Sequence, residues 1–343
     1  MASIPHIAVI GSLNVDLVTR TPRVPAAGET LTASSFALGF GGKGANQASA
    51  CSRLSRPKLP KSSKAKPPSA KVSMVGAVGD DQFSQGMLDS LKEDGVDVSE
   101  VRIAKGKSTG TATILVEEAT GENRILFTPG ANGVFEEKDN LIPKDVDVVL
   151  FQMEIPLKTV LHNIEVAKAQ GVQVILNPAP ALPIPISIYP SIDHLIVNSS
   201  EALILSSSLE NPEDAQQQLD SLSAPLLDAG VPNLIITLGS RGCYYHTLLR
   251  FSSGQPGRLI PASPVEKVVD TTGAGDAFVG AYAVKVAEGL RKRENVEVEG
   301  EGRGWVSRGV SVDEAVAWAS RVAAKSVERE GARGGVPWGD EVE

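Results

Sequence analysis

At 343 residues the chain is long enough to bury a large core, as one α/β domain or as one domain carrying a smaller appendage. Its 33 Lys+Arg against 41 Asp+Glu leave a net charge of -8 with no long basic stripe, which argues against nucleic acid as a partner. The two cysteines, Cys51 and Cys243, are far apart and support neither a disulfide framework nor a zinc site, and no apolar run approaches the roughly 18 residues a membrane span needs. Residues 1–6 lack a charged n-region, so the expected setting is the cytoplasm, with the nucleus as an alternative compartment.

Along the chain, apolar runs at 7–10, 72–78, 146–151, 172–176, 194–197 and 234–238 are strand-length and lack polar alternation, as strands buried on both faces do. Helical patterns follow at 81–94, 157–170, 212–228, 274–290 and 312–330. Their alternation predicts an α/β, doubly wound, mostly parallel sheet. Asn211 is placed to cap the helix opened by Pro212, and Ser311 with Glu314 has capping-box spacing.

Two stretches, 14–38 and 101–127, break this pattern. Within the second, 111–117 and 123–127 are β-rich and flank Ala119-Thr120-Gly121-Glu122, which predicts a hairpin. Together they are expected to form a small β-sheet lid over a single domain spanning 1–343. Residues 52–71, dense in Ser, Pro and Lys, interrupt a helix that begins after Asn46 and are expected to be a flexible surface insertion. Residues 291–309 are expected to be an exposed loop.

The chemistry concentrates at Asp270-Thr271-Thr272-Gly273-Ala274-Gly275-Asp276, which leads directly into an apolar helix. A glycine turn that opens a helix leaves N–H groups unpaired at the positive end of the helix dipole, so it attracts anions. Gly273 and Gly275 would let a phosphoryl group approach the main chain, and Asp276 would stand beside it as a base. An ordinary capped helix whose Asp complements the dipole is the competing reading.

A second cluster is Phe40-Gly41-Gly42-Lys43-Gly44-Ala45-Asn46, with Asn14 and Asp16 following the first strand. Asn, Asp and Lys supply the donors and acceptors that a polyhydroxylated ligand requires. A formal GxGxxG at Gly39, Gly41 and Gly44 is a weak dinucleotide fingerprint, because no strand is expected directly before it. A P-loop is ruled out by Gly44 after Lys43 and by Ala37 where the motif needs Gly.

Taken together, Gly41-Gly42-Lys43-Gly44-Ala45-Asn46 and Asp270 to Asp276 resemble the two signatures of the ribokinase (PfkB-type) carbohydrate kinase family. Further matches are Gly11 to Asp16, Gln152-Met153-Glu154, Asn177-Pro178-Ala179-Pro180, Thr237 to Gly242, Gly331-Ala332 and Val336-Pro337-Trp338, so the likeness runs from about Ile7 to Trp338.

The resemblance implies ATP-dependent phosphorylation of a free sugar, D-ribose at its 5-hydroxyl, with Asp276 as base and Gly273, Ala274 and Gly275 as the anion hole. Asn14, Asp16, Gly42, Lys43, Asn46 and Glu154 would hold the sugar. Asn198 and Glu201 would organise Mg²⁺ and phosphates, unless they only cap a helix. Thr237, Gly239, Ser240, Gly242 and Ser320 would line the nucleotide. Asp270, Thr272, Ser326, Arg329, Gly331 and Gly335 would bind K⁺, with Gly335 standing where many relatives carry Ser. A homodimer through the lid is also implied. A fructokinase or nucleoside kinase is the alternative, and a non-catalytic sugar-binding protein the distant one.

Overall fold

The structure is a computed structural model and describes residues 4–58, 67–206, 215–291 and 311–342. In chain order its elements are β1 (His6–Ile10), β2 (Asn14–Thr21), β3 (Ser35–Gly41), α1 (Lys43–Leu54), β4 (Lys71–Gly79), α2 (Ser84–Glu93) and β5 (Asp97–Ala104). Then come β6 (Gly110–Glu117), β7 (Asn123–Thr128), β8 (Val148–Phe151), α3 (Leu157–Ala169), β9 (Gln173–Leu176), β10 (His194–Asn198) and α4 (Ser199–Ser206). The last are α5 (Ala215–Asp228), β11 (Asn233–Thr237), β12 (Cys243–Thr247), α6 (Leu248–Ser252), β13 (Arg258–Ile260), α7 (Ala274–Arg291) and α8 (Val312–Ser326).

The main sheet is nine-stranded, in the order β13-β12-β11-β10-β9-β8-β1-β4-β5. Every neighbouring pair from β5 across to β11 is parallel, and only β12 and β13 join antiparallel. From β1 the chain builds outward through β4 and β5, and from β8 it builds the other way. The gap between β1 and β8 is therefore the topological switch point, where parallel sheets of this kind open a crevice at their carboxyl ends.

The apolar strand runs are legible as such because both faces are covered. Ile7, Val9, Met74 and Leu150 pack with Ala48, Cys51, Phe278, Tyr282 and Trp318 from α1, α7 and α8. Ile10, Phe151 and Leu176 pack with Val160, Ile164, Leu222 and Leu226 from α3 and α5 on the opposite face. Among the described residues no helix is long and apolar enough to cross a membrane.

A second, four-stranded sheet runs β3-β2-β6-β7. The expected hairpin is its β6–β7 pair, antiparallel through Ala112↔Phe127 and Ile114↔Ile125. The expected lid bounds need correction, however. Val101 to Ala104 complete β5 at the edge of the main sheet, whereas the lid sheet starts at Gly110, and β3 continues to Gly41. That extension also corrects the reading of the Gly39–Gly44 loop. A strand does precede it, but an antiparallel lid strand rather than the parallel strand a dinucleotide fold supplies.

Other boundaries shift for local reasons. The expected insertion is shorter than 52–71, since Ser52 to Leu54 are the last turn of α1 and Lys71 opens β4. Ser52 is fully buried and its hydroxyl donates to the Asp94 carbonyl. Helix α2 starts late because the Asp81 carboxylate accepts from Phe83 N–H and Thr109 and holds a turn there. Helix α8 stops at Ser326, four residues early, where the Val327 carbonyl turns away to accept from Val269 and Asp270 N–H. The Ser311–Glu314 capping box forms as expected. Asn211, Pro212 and all of 291–309 except Arg291 lie outside the described residues.

Candidate active site

The site is assembled at the switch point from segments that the sheet brings together. Just past β1, Ser12 and Leu13 lead into β2, whose first and third residues are Asn14 and Asp16. Gly42 caps the start of α1, which carries Lys43 and Asn46. Glu154 follows β8, and Asp276 lies in the first turn of α7. A side chain at residue 42 would run into Asn14 N at 2.7 Å and the Ser12 carbonyl at 3.1 Å, so the glycine lets α1 begin directly against the β1–β2 junction.

Three cavities meet here. The largest, about 630 Å³, is lined by Asn14, Asp16, Gly42, Lys43, Asn46, Glu154, Thr272, Gly273 and Asp276, under a roof of Ile114, Ile125 and Phe127 from the lid sheet. A neck of about 140 Å³ shares Lys43, Gly273 and Asp276 with it and adds Asn198, Glu201, Thr237 and Gly275. A third, of about 340 Å³, shares Thr237 and Gly275 with the neck and adds Gly239, Ser240, Gly242, Ala274 and Ser320. Its apolar walls, Val265, Val268, Phe278 and Val327, were not singled out from the sequence, where they read as ordinary core and loop residues.

Asp276 is 8% exposed, and both its oxygens are held. Oδ2 accepts from Asn46 Nδ2 at 3.0 Å and Oδ1 from Gln47 Nε2 at 2.8 Å. Glu154 Oε2 accepts from Ser12 Oγ at 2.5 Å, from Lys43 N–H at 3.0 Å and from Asn14 Nδ2 at 3.4 Å. Asn132 fixes the Asn14 amide by donating to its Oδ1 at 2.7 Å. Ser12, Gln47 and Asn132 had no assigned part in the sequence reading. Of the three, only Gln47 adjoins a predicted site residue.

The charges explain the local titration. Burial pushes the Asp16 carboxyl up to about 6, with Glu154 and then Asp276 adding to it. Burial pulls the Lys43 ammonium down, but Asp276, Glu154 and Glu201 together outweigh it and hold Lys43 above its usual range. Burial also raises Glu201.

At the start of α7, Ala274 N–H already donates to the Thr271 carbonyl at 3.3 Å, whereas among the described residues no main-chain carbonyl engages Gly273 or Gly275 N–H. Gly273 has φ +75, and its neighbour Gly275 has nothing within 4 Å of where a side chain would begin. The amides are thus bare on the side of the cavities. Asn198 and Glu201 do cap a helix reciprocally, with N–H to side-chain bonds of 2.8 and 2.9 Å. They also line the neck, so the two readings hold together.

Behind this turn, Asp270 accepts from Thr272 N–H and Gly331 N–H, each at 2.9 Å. Burial opposes its ionisation, but Thr272, the Gly331 amide and Arg20 hold its carboxyl below the usual range. The carbonyl oxygens of Ser326, Gly331 and Arg329 converge to 2.7, 2.9 and 3.4 Å from the point where a Gly335 side chain would start. Arg329 contributes its carbonyl there, while its guanidinium pairs with Glu341.

The sequence profile of the pfkB family carbohydrate kinases matches residues 5–339. The ribokinase of Schizosaccharomyces pombe is 39% identical over 339 residues, covering 97% of this chain and 95% of that protein. The ribokinase of Bacillus subtilis is 36% identical over 348 residues, covering 98% of each. The structure of Arabidopsis thaliana ribokinase complexed with ribose and ATP superposes with a TM-score of 0.81 at 28% identity, covering 98% of this chain and 97% of that one. With both signatures converging on one crevice and likeness along nearly the whole length, the chain belongs to the pfkB family of carbohydrate kinases.

Proposed function

We propose that the protein transfers the γ-phosphoryl group of ATP to the 5-hydroxyl of D-ribose. One observation carries the reading: a chamber with a polar floor under an apolar roof, a neck and an apolar slot share walls, and Asp276 and Gly275 stand at their junctions. A sugar, a phosphate chain and an adenine ring in that order fill a site of this shape. Relatives named ribokinase, and a ribokinase structure holding ribose and ATP, support the choice of substrates.

In the reaction Asp276 takes the proton of the attacking hydroxyl, the sugar oxygen bonds to the γ-phosphorus, and the bond to the β-phosphate oxygen breaks to release ADP. The Gly273 and Gly275 amides face the charge on the moving group, with Ala274 secondary because its N–H is already engaged. Lys43 stands between the chamber and the neck, where it offsets the approach of nucleotide phosphates to three carboxylates. Asn46 lines the chamber, and its buried Oδ1 has no hydrogen-bond partner among the described residues.

Among the described residues no group of three acidic, His or Cys side chains could hold a metal ion alone. Asn198 and Glu201, which line the neck, would hold Mg²⁺ carried by the nucleotide, and the ion would supply charge to offset the phosphates there. The converging carbonyls near Gly335, with the ionised Asp270, fit a large monovalent cation such as K⁺, which would brace the anion-hole turn. Cys51 and Cys243 are both buried and free, as suits a reducing cytoplasm. Phe36, Leu38 and Leu126 are exposed on the lid face away from the chamber and would pair with a second subunit's lid.

The test is ATP-dependent phosphorylation of a panel of free sugars and nucleosides, with and without K⁺. D-Ribose should give the highest kcat/KM. A preference for fructose or adenosine would overturn the substrate, and no turnover of any acceptor would overturn the kinase reading.

A further inference from the structure

We propose that Gln47 is a positioning residue for the base, registering Asp276 to the carboxyl ends of the central strands. The proposal rests on the reading of Asp276 as base. Gln47 is fully buried and lines none of the three cavities, so it has no access to sugar or nucleotide. Its whole amide is nonetheless committed. Nε2 donates to Asp276 Oδ1 at 2.8 Å and to Asn177 Oδ1 at 3.0 Å, and Oε1 accepts from Gln152 Nε2 at 2.6 Å. Asn177 Nδ2 in turn donates to the Ile196 carbonyl at 2.9 Å, which fixes which end of the Asn177 amide faces Gln47.

Gln152 follows β8, Asn177 follows β9 and Ile196 lies in β10, three successive neighbours in the parallel sheet. The base rides on α7, a helix that packs on the face of that sheet, and the amide relay ties its inner oxygen to the strand ends. Asn46 lines the sugar chamber and holds the other oxygen, Oδ2. With Oδ1 anchored inward by Gln47, the carboxylate plane is set and Oδ2 is presented to the hydroxyl. Without Gln47, Oδ1 would be a buried acceptor with no donor, and the carboxylate would rotate to find one.

The experiment uses the full chain and two substitutions. Gln47→Leu removes both donated bonds and should lower kcat roughly ten- to hundredfold, the range for a hydrogen bond to a charged group, with the KM for ATP within about twofold of the parent. Gln47→Glu keeps shape and the acceptor for Gln152 but turns a carboxylate toward Asp276. Its kcat, taken relative to the parent at each pH, should recover between pH 8 and 6 as the new carboxyl protonates and can donate again.

A purely structural Gln47 would give a pH-independent ratio, and that result, or a Gln47→Leu kcat within about twofold of the parent, overturns the proposal. Should neither variant fold by near-ultraviolet circular dichroism, Gln152→Met decides. It should lower kcat about three- to tenfold, and an unchanged kcat overturns the idea. Asp276→Asn is run alongside. If it keeps the parental kcat, the base assignment itself has failed, whereas its loss with an intact Gln47→Leu isolates the failure to the relay.

Discussion

Ala332 packs so tightly on Gly273 that a side chain at residue 273 would meet Ala332 Cα at 2.6 Å. The loop before α7 is thereby clamped to the C-terminal segment, with its φ of +75 adding a backbone conformation that L-residues avoid. Gly273→Ala should displace the turn and its amides, lowering kcat by about a hundredfold or more, as loss of an oxyanion donor does. Sugar binding, proposed to draw on Asn14, Asp16 and Glu154, should survive within a few-fold. Steady-state kinetics with isothermal titration of the sugar checks this, and a variant with near-parental kcat would show that the turn tolerates movement.

Asp16 should make sugar recognition pH-dependent. Its carboxyl is pushed up to about 6 by burial first and by Glu154 and Asp276 after it, so it is ionised at pH 7.5 and protonates as pH falls through 6. The ionised form is the proposed acceptor for sugar hydroxyls, so the KM for sugar should rise from pH 7.5 to pH 5. Asp16→Asn should have a high KM that stays flat over this range. Stability runs the other way: a raised carboxyl stabilises the fold below its unfolded pKa, and that contribution is lost as pH rises through the folded value. At pH 7.5 Asp16→Asn should therefore melt above the parent, and a lower melting temperature contradicts the assignment.

How much of this was legible in the sequence depends on the range of the cause. Strands such as β1, β4 and β8 are apolar on both faces, so their composition announces a covered parallel sheet. The predicted sugar, phosphate and nucleotide residues line the three cavities, those of the two signatures because each carries its chemistry within a few positions, and Asn14, Asp16, Glu154, Asn198, Glu201 and Thr237 because they stand at or just past strand ends of the switch-point crevice. The lid edge at Ala104 was misjudged because β5 is half exposed and resembles a lid strand. Gln47 was missed because successive helix residues diverge by about 100°, and only the crossing of α1 over the start of α7 brings Asn46 and Gln47 to the same carboxylate.

A buried ion cluster that no local pattern reveals joins α1, α2 and the C-terminal loop. Asp94, 4% exposed, accepts from Arg53 Nε at 2.7 Å and from Arg333 Nη2 at 2.6 Å, while Arg53 also donates to the Arg333 carbonyl. Removing the shared carboxylate leaves two cations without a counter-charge, one of them buried. Asp94→Ala should cost about 3–5 kcal/mol, the range for breaking one side of a buried pair. Urea unfolding should show a lower midpoint with unchanged slope. A loss under about 1 kcal/mol would mean the arginines find other partners or reach water.

The Gly335 environment separates a cation site from a mere turn. The Ser326, Gly331 and Arg329 carbonyls converge on the point where its side chain would begin, and any side chain would meet the first at 2.7 Å and the second at 2.9 Å. Gly335→Ala must push those oxygens apart, and the anion-hole turn is tied to them through Asp270 and Gly331 N–H. If the carbonyls bind K⁺, the parent should be activated by K⁺ over Na⁺, and the variant should need more K⁺ for half-activation, by about tenfold or more, for the loss of one or two well-placed ligands. The melting temperature should rise with K⁺ in the parent and respond less in the variant, a readout independent of turnover. A parent enzyme indifferent to K⁺ in both measurements would make the convergence of carbonyls a feature of the turn alone, with Asp270 serving only to hold Gly331 in place.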